Sequence, residues 1–379
     1  MSPPLPLTVA VTGLNATDNP APGVAVLRAL KLQREPCDRL IGLAYDGLDP
    51  GVYAEDVVDE VFMLPYPSSS TDAYFERLAH IHERVGLSVV IPTLDAELPT
   101  FIALAPRLAE LGIGTLLPTR EQYDLRSKAQ LSKLAERAGI RTPETFVISS
   151  ALDIASAHER LGYPFFVKGV YYGATLVTCA EETLAAFHRV VEQWGPPVIL
   201  QAAAGGDERE ERNVVALGDG RGGLLGAVAM KKLAVTDKGK GWAGITIKDP
   251  ELIALTERFM RATHWQGPCE IEVVRGQDGI YDLIEINPRF PAWVFLSAAA
   301  GMNLPRHAVE LAAGRCPPPL LDYTAGALFV RISIDQIAHI GDLERIVTLG
   351  EIDRRSPKRG RPEFVSSVHT TRPEQEIDL

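Results

Sequence analysis

The chain has 379 residues, of which 46% are apolar and 23% are charged, and its net charge is −11. This length predicts two or three domains with large cores, and the apolar fraction excludes an intrinsically disordered protein. The balance of 49 acidic against 38 basic residues argues against a general nucleic-acid binder, which needs a dense basic surface. The four cysteines form no CxxC pair, which is typical of reduced thiols in a cytosolic protein.

The first third of the chain predicts a parallel β-sheet with helices on both faces. Short, continuously apolar runs alternate with helical patterns, as in parallel strands that are buried on both sides. The predicted strands cover residues 7–12, 39–44, 57–64 and 88–92, and the predicted helices cover residues 23–32, 71–85 and 98–111. No basic region precedes the first strand, and no apolar run reaches about 18 residues. We therefore expect no signal peptide, no membrane span and a cytoplasmic location.

Polar residues and a glycine follow the first and fourth predicted strands. A parallel sheet binds ligands beyond the carboxyl ends of its strands, so these residues are candidates for ligand contacts. They are Gly13, Asn15, Thr93, Asp95 and Glu97. The turn VTGLNATDNP lacks the GxGxxG pattern, and prolines interrupt the expected start of the next helix. This argues against a nicotinamide-binding Rossmann domain.

From residue 123 the pattern predicts an α+β arrangement. A helical pattern at residues 127–138 ends at Gly139, a residue suited to a helix C-cap. Turns at residues 218–223 and 276–279 separate runs that alternate as in antiparallel strands. The predicted strands cover residues 144–148, 164–168, 198–202, 212–217, 223–230, 269–275, 279–287 and 325–334, and the predicted helices cover residues 152–161, 183–194 and 251–263. From Arg354 onward the sequence predicts a loosely packed tail.

Carboxylates cluster on the strand pair at residues 269–275 and 279–287. If the GQDG turn connects the two strands directly, Glu272 and Glu285 lie close together on one face, beside Glu270 and Asn287. Grouped carboxylates repel one another, and a divalent cation such as Mg²⁺ would relieve that repulsion. A three-residue turn would reverse the pairing. The alternative is an ordinary half-exposed strand pair with solvated acids.

Two lysines are candidates for anion binding. Lys168 ends the apolar strand PFFVKG, where lysines are rare unless they are paired or bound to an anion. Lys128 lies forty residues earlier, in a predicted helix. The glycines of GVYYGAT, after Lys168, would let backbone N–H groups approach a phosphate. The alternative for both lysines is an ordinary surface position.

These motifs together resemble the ATP-grasp superfamily. SKAQLSKLAERAGIRTPET resembles the segment with the superfamily's first nucleotide-binding lysine, and PFFVKG resembles the strand with the second. VILQAAAGGDE resembles the hinge that holds adenine, and LIEINPR resembles the metal-binding strand. The resemblance covers about residues 5–315. Within the superfamily it points to carbamoyl-phosphate-synthetase large chains and biotin carboxylases, and the N-terminal third resembles their pre-ATP-grasp domain.

The resemblance implies a role for each matching residue, with ATP and Mg²⁺ or Mn²⁺ as cofactors. The nucleotide-binding residues that it implies are Lys128, Lys168, Gln201, Ala202, Ala204 and Glu208. The metal ligands that it implies are Glu272, Glu285 and Asn287. The catalytic residues that it implies are Arg289 and Lys231, both as contacts of phosphate. Lys231 and Lys232 would both face this region, and Lys240 and Trp242 would cover the substrates.

Two segments depart from the superfamily pattern. Tyr171 and Tyr172 stand where the flap usually carries glycine and serine, and Phe290 and Trp293 replace a small Gly/Ser turn. Tyr171 and Tyr172 would narrow the site or contact the substrate, whereas Phe290 and Trp293 imply a more apolar or aromatic acceptor pocket. The alternative for Trp293 is core packing. The expected domains are a parallel-sheet, Rossmann-like pre-ATP-grasp domain (1–122), a small lid subdomain (123–198), a C-terminal ATP-grasp subdomain (199–319) and a C-terminal segment with a partly ordered tail (320–379).

The resemblance implies an ATP-dependent, ADP-forming ligase that joins a carboxylic acid to an amine through an acyl-phosphate. Its expected partners are small-molecule or peptide carboxylates and amines and a second copy of the chain, with no nucleic acid and no membrane. One alternative is a small-molecule kinase on the same fold. Another is a non-catalytic, ATP-binding regulatory protein, and a third is a Rossmann-type dehydrogenase.

Overall fold

The computed structural model describes residues 5–16, 20–35, 38–127, 130–169, 173–203, 210–236, 241–320 and 322–355. These residues form three β-sheets with five, four and six strands. The class is α/β in the first sheet and α+β in the other two, as the sequence predicts. No helix among the described residues is both long and apolar enough to cross a membrane.

The N-terminal sheet has four parallel strands and an antiparallel edge strand from the far end of the described chain. Its first elements are β1 (Thr8–Val11), α1 (Gly23–Leu32), β2 (Arg39–Ala44), β3 (Glu60–Met63), α2 (Thr71–Val85), β4 (Val89–Ile91) and α3 (Leu98–Glu110). The edge strand is β15 (Glu351–Asp353), and the strand order is β15-β3-β2-β1-β4. The chain thus returns to this sheet after the other two sheets are complete.

A buried polar network closes the carboxyl edge of this sheet. The Glu97 carboxylate accepts hydrogen bonds from the hydroxyl groups of Thr12 and Tyr45 and from the backbone N–H groups of Thr93 and Leu94. Glu97 is fully buried, and burial raises the pKa of its carboxyl group. Glu97 is therefore a structural residue of the sheet edge, because its oxygens already have partners within the protein.

The four-stranded sheet is antiparallel and lies in the middle of the chain. Two short helices lead into it, α4 (Arg120–Leu125) and α5 (Leu131–Ala138). Its elements are β5 (Thr145–Ile148), α6 (Ile154–Leu161), β6 (Phe165–Gly169), β7 (Ala174–Val177), α7 (Ala180–Trp194) and β8 (Val198–Ala202), in the strand order β5-β8-β6-β7. The expected domain boundary between residues 198 and 199 falls inside β8.

The six-stranded antiparallel sheet carries most of the remaining chain. Its strands are β9 (Glu211–Asp219), β10 (Leu224–Val235), β11 (Gly241–Ile247), β12 (Gln266–Arg275), β13 (Tyr281–Asn287) and β14 (Leu328–Val330), in the order β13-β12-β9-β10-β11-β14. The helices of this region are α8 (Pro250–Thr263), α9 (Phe295–Ala299), α10 (Leu304–Ala312) and α11 (Ile340–Leu349). Strand β14 is shorter than the predicted strand at residues 325–334.

The two faces of the six-stranded sheet meet different neighbours. One face packs under α5 and α8, around the buried Trp265 and Phe259. Apolar residues of the other face, including Val228 and Met230, share a core with Phe290 and the N-terminal sheet. We call this second face, which carries Val228 and Met230, the site face. Its polar part is the candidate site described below.

Candidate active site

The register of β12 and β13 brings the predicted carboxylates together. Glu272 lies directly opposite Glu285, and Glu270 lies directly opposite Asn287. Residues that are directly opposite in an antiparallel pair have their side chains on the same face, with Cβ atoms about 5 Å apart. The structure therefore places Glu270, Glu272, Glu285 and Asn287 on the site face.

A β-bulge sets this register. Below the bulge, Arg275 pairs with Tyr281, so five residues separate the strands instead of the four residues of the GQDG turn. This register alone would place Glu272 opposite Ile284. An irregularity between Glu272 and Val273 leaves Ile284 as the extra residue of β13 and moves Glu285 opposite Glu272. The predicted juxtaposition is present, although it arises from the bulge and not from the length of the turn.

Asn287 joins the acidic side chains through its amide. Its Nδ2 atom donates to Glu270 Oε2 at 3.1 Å and to Glu272 Oε1 at 3.0 Å. Glu270 Oε1 also accepts from Asn213 Nδ2 at 3.0 Å and from the indole Nε1 of Trp293 at 2.6 Å. Burial, together with the charge of Glu272, raises the pKa of Glu270 to about 7. A proton or a cation would therefore stabilise this cluster.

Lys232 supplies a positive charge to the cluster. Its Nζ atom pairs with Glu211 and lies 3.5 Å from Glu272 Oε2, and the side chain is only 11% exposed. Burial alone would lower the pKa of Lys232, but Glu272 and Glu211 together raise it above its ordinary value. Burial also raises the pKa of Glu211, to about 7, against the opposing effect of Lys232.

Lys231, the predicted catalytic lysine, does not reach this cluster. It lies opposite Arg212 in β9 and Ile245 in β11, and Arg212 in turn lies opposite Val273. Val273 belongs to the core beneath α5 and α8, so Lys231 is on the face away from Glu272. The two adjacent lysines point to opposite faces, and the residue on the site face is Lys232.

Arg289 connects the cluster with the N-terminal sheet. Its Nε donates to Asp95 Oδ2 at 2.9 Å, its Nη2 donates to Asn287 Oδ1 at 3.3 Å, and its Nη1 lies 3.9 Å from Glu270 Oε2. Burial would lower the pKa of Arg289, but Asp95 and Glu270 raise it overall. Asp95 also lies 3.7 Å from Arg126, so two arginines meet at this carboxylate. Among the candidates after β1 and β4, Asp95 is thus joined to the cluster through Arg289.

Lys168 and Gln201 meet on the neighbouring four-stranded sheet. Lys168 Nζ, at the end of β6, donates to Gln201 Oε1 at 2.5 Å, and Gln201 Nε2 donates to Thr145 Oγ1 at 3.1 Å. Gln201 is buried, and Ala202 ends β8 with its N–H bonded to the carbonyl oxygen of Glu144 at 2.9 Å. The predicted nucleotide residues Lys128, Ala204 and Glu208 lie outside the described residues, as do Tyr171, Tyr172 and Lys240.

The predicted metal ligands suit a cation that also binds phosphate. Among the described residues, no group of three or more His, Cys, Asp or Glu side chains is arranged to hold a metal ion. The predicted set contains two carboxylates and one amide, which alone is a sparse ligand set. Mg²⁺ is typically held by one or two carboxylates together with substrate phosphates. Glu272, Glu285 and Asn287 therefore fit a cation that arrives with a nucleotide.

The sequence prediction does not name Glu211 or Asn213, and it does not decide which of Lys231 and Lys232 contacts the cluster. Glu211, Asn213 and Lys232 belong to strands β9 and β10, and the strand order places β9 between β12 and β10. The sequence shows which residues of one strand share a face, but it does not show how strands that are distant in sequence align with one another. Phe290, predicted near an acceptor pocket, is buried in the core, whereas Trp293 is buried with its indole N–H on Glu270.

The chain is similar to several known proteins. A family profile described as "ATP-grasp in the biosynthetic pathway with Ter operon" matches residues 208–333. D-alanine–D-alanine ligase of Pseudomonas putida (strain GB-1) is 28% identical over an alignment of 191 residues that covers 46% of this chain and 57% of that enzyme. Carbamoyl phosphate synthase large chain of Hyperthermus butylicus is 25% identical over an alignment of 222 residues that covers 55% of this chain and 20% of that protein. The chain thus spans little more than half of the first of these relatives.

Solved structures share the fold across most of the chain. The biotin carboxylase domain of 2-oxoglutarate carboxylase from Hydrogenobacter thermophilus has a TM-score of 0.65 at 19% identity, covering 85% of this chain and 73% of that one. An ADP complex of N5-carboxyaminoimidazole ribonucleotide synthetase has a TM-score of 0.62 at 14% identity, covering 86% and 81%. The chain therefore has the ATP-grasp fold. The predicted resemblance to ATP-grasp ligases is confirmed.

Proposed function

We propose that this protein is an ATP-dependent, ADP-forming ligase that joins a carboxylic acid to an amine through an acyl-phosphate. One observation carries the proposal, the convergence of Glu272, Glu285, Asn287 and Lys232 on one sheet face with Arg289 beside them. Carboxylates, a lysine and an arginine in one place supply what phosphoryl transfer requires, because that reaction depends on positioning and on charge neutralisation. The ligase relatives support the same reaction class.

Each group has a role that follows from its surroundings. Glu272, Glu285 and Asn287 would hold a divalent cation, Mg²⁺ or Mn²⁺, which would neutralise charge on the ATP phosphates when bound. Lys168 and Gln201 would contact the nucleotide from the neighbouring sheet, with Lys128, Ala202, Ala204 and Glu208 completing that site. We assign the phosphate contact on the six-stranded sheet to Lys232 in place of Lys231, because Lys232 is the lysine on the site face.

Arg289 would hold the transferred phosphoryl group. Its guanidinium is fixed on one side by Asp95 and on another by Asn287, so little conformational freedom is lost when a phosphate binds. The substrate carboxylate would attack the γ-phosphorus of ATP and release ADP, and the amine would then displace phosphate from the acyl-phosphate. Lys232 and Arg289 would stabilise the negative charge that develops on the phosphoryl oxygens.

The direct test is release of ADP and phosphate with Mg²⁺, ATP and pairs of candidate acids and amines. The panel should contain free and peptide-linked amino acids, and also bicarbonate, because structural neighbours include proteins named as carboxylases. We expect ADP formation that requires both an acid and an amine, with a new C–N bond in the product. A stable phosphorylated product would indicate a kinase, and ATP binding without turnover across the panel would indicate a regulatory protein.

A pair of variants tests the site itself. Glu285→Ala removes one predicted metal ligand and should reduce turnover by at least about a hundredfold, the scale of a lost transition-state contact. Glu257→Ala is the matched control, because Glu257 is exposed on α8, which covers the opposite face of the same sheet. Turnover that survives Glu285→Ala would overturn the assignment of the metal ligands.

A further inference from the structure

Arg126, directly after α4, carries a guanidinium group that donates no hydrogen bond to the described part of the chain. Its side chain is only 21% exposed, and its Nε atom is buried without a hydrogen-bond partner. The Nη1 atom lies 3.7 Å from Asp95 Oδ1, which is beyond the range of a hydrogen bond. A guanidinium has five N–H donors, and burying a donor without an acceptor is costly. This arrangement is expected where an acceptor from outside the chain binds.

The position of this guanidinium is nevertheless fixed by Tyr123. The central carbon of the Arg126 guanidinium lies 4.5 Å from the centre of the Tyr123 ring. The hydroxyl group of Tyr123 donates to the backbone carbonyl oxygen of Asp95 at 3.2 Å, so the same side chain also holds the segment after β4. Stacking on an aromatic ring leaves the N–H groups at the edge of a guanidinium for acceptors in its plane. A ligand that binds there would find the cation already placed.

Arg126 and Arg289 meet at Asp95, at one end of the Arg289 guanidinium. Asp95 accepts a hydrogen bond from Arg289 Nε, whereas Asn287 accepts one from Nη2 at the other end. Asn287 is a predicted metal ligand, so the Nη end of Arg289 faces the metal ligands and the Nε end faces Arg126. Asp95 lies beyond the carboxyl end of β4, which is the edge where a parallel sheet binds ligands.

We propose that Arg126 binds the reacting carboxylate of the acid substrate, beside Arg289. This assignment rests on the proposed ligase function. Phosphoryl transfer places the attacking and leaving oxygens roughly in line, on opposite sides of the phosphorus. With the ATP phosphates over the metal ligands and the γ-phosphoryl group at Arg289, the acid has to approach from the far side, where Arg126 lies. The planar fork of arginine also matches a carboxylate in a bidentate pair.

The kinetic test compares two arginines of the same region. Arg126→Gln should raise KM for the acid at least about tenfold and leave KM for ATP within about twofold, because a hydrogen bond to a charged group is lost only from the acid. Arg126→Lys should give an intermediate KM, since it keeps the charge without the fork. Arg120→Gln is the matched control: Arg120 begins α4, lies 6.0 Å from the same Tyr123 ring and is 64% exposed.

A merely structural role of Arg126 would not change KM for the acid alone. An Arg126→Gln variant with an unchanged KM for the acid would overturn the proposal. Weaker ATP binding without a change for the acid would assign Arg126 to the nucleotide phosphates instead, since Lys128 follows two residues later.

Chemical modification tests the anion site without turnover. Phenylglyoxal modifies arginine side chains, and peptide mass spectrometry follows Arg126 and Arg120 separately in the parent chain with MgADP. Acetate should slow the modification of Arg126 at least about threefold relative to chloride at equal ionic strength, and it should leave Arg120 unchanged. No slowing by acetate, or slowing by inorganic phosphate alone, would overturn the carboxylate assignment. Protection by acetate in a chain without ligase turnover would retain the anion site and count against the proposed function, whereas ligase turnover with an unprotected Arg126 would do the reverse.

Discussion

Replacement of Lys232 by methionine tests the organisation of the site face most directly. Methionine keeps much of the apolar length of the lysine side chain and removes its charge, so packing changes little while Glu211 and Glu272 lose their shared cation. At the observed 3.5 Å, the attraction between Lys232 and Glu272 is about 5 kcal/mol for an effective dielectric constant of about 20. The cost of burying the lysine offsets part of this energy. Loss of one partner from a buried pair typically costs about 3–5 kcal/mol.

We expect Lys232→Met to lower the free energy of unfolding by about 3 kcal/mol at pH 8 without ligands. Lys231 is the neighbouring residue on the opposite face and is half-exposed. Lys231→Met should therefore change the free energy of unfolding by less than about 0.5 kcal/mol, as is usual for substitutions near the surface. The difference between the variants should shrink below pH 7, because the pKa of Glu211 is about 7 and a protonated Glu211 no longer pairs with Lys232. Denaturant unfolding of both variants across pH 5–9 measures this directly.

The same pair of variants separates the two lysines in catalysis. Lys232→Met should lower kcat/KM for ATP by at least about tenfold, whereas Lys231→Met should stay near the parent chain. Without Lys232 the cluster is more negative, so binding of Mn²⁺ to the nucleotide-free protein should become tighter. Equal losses in the two variants, or a larger loss in Lys231→Met, would refute the assignment of the site face.

Two further substitutions address the N-terminal sheet. Asp95→Asn removes the charged partner of Arg289 Nε, so kcat should fall roughly tenfold while the ATP concentration for half-saturation stays nearly constant. Asp72→Asn, at an exposed ion pair with Arg107, is the control and should leave kcat unchanged. Glu97→Gln tests the buried network: because burial raises the pKa of Glu97, the native state retains its proton above pH 4.5, and the stability of the parent chain falls as pH rises through that window. The glutamine variant should therefore become more stable relative to the parent chain as pH rises, and stability curves that run parallel with pH would contradict this reasoning.

Local patterns predicted the elements well where packing agrees with them. The helices Gly23–Leu32 and Thr71–Val85 and the strand Arg39–Ala44 have the predicted bounds, because each has a clear apolar face or run between strong end signals. The helix at 127–138 begins later, at Leu131, and a separate helix, Arg120–Leu125, precedes it. The capping box between Thr119 and Gln122 is visible in the sequence and would have indicated that helix.

Side-chain positions that depend on the alignment of several strands are harder to predict from the sequence. The choice between Lys231 and Lys232 depends on the register of β10 against β9, which no local pattern determines. The contact of Asp95 with Arg289 joins residues 194 positions apart, from different sheets. In both cases the sequence indicates a residue type near a motif, and only the assembled sheets show which atom meets which. The domain division, the metal ligands and the nucleotide contacts stay predictions until they are tested.

The bulge at Ile284 explains why the acidic cluster depends on its neighbours. Without the extra residue, Glu272 would face an isoleucine, and the strand pair would bear no opposed carboxylates. With it, Glu272 and Glu285 are directly opposed, an arrangement that destabilises an antiparallel pair by itself. Lys232 and the Asn287 amide reduce this repulsion from the side of Glu272. Neither of them places a positive charge between Glu272 and Glu285, as a bound cation would. A local arrangement that opposes folding is expected where the same groups serve a ligand, and this one lies beside the arginine that joins the two sheets.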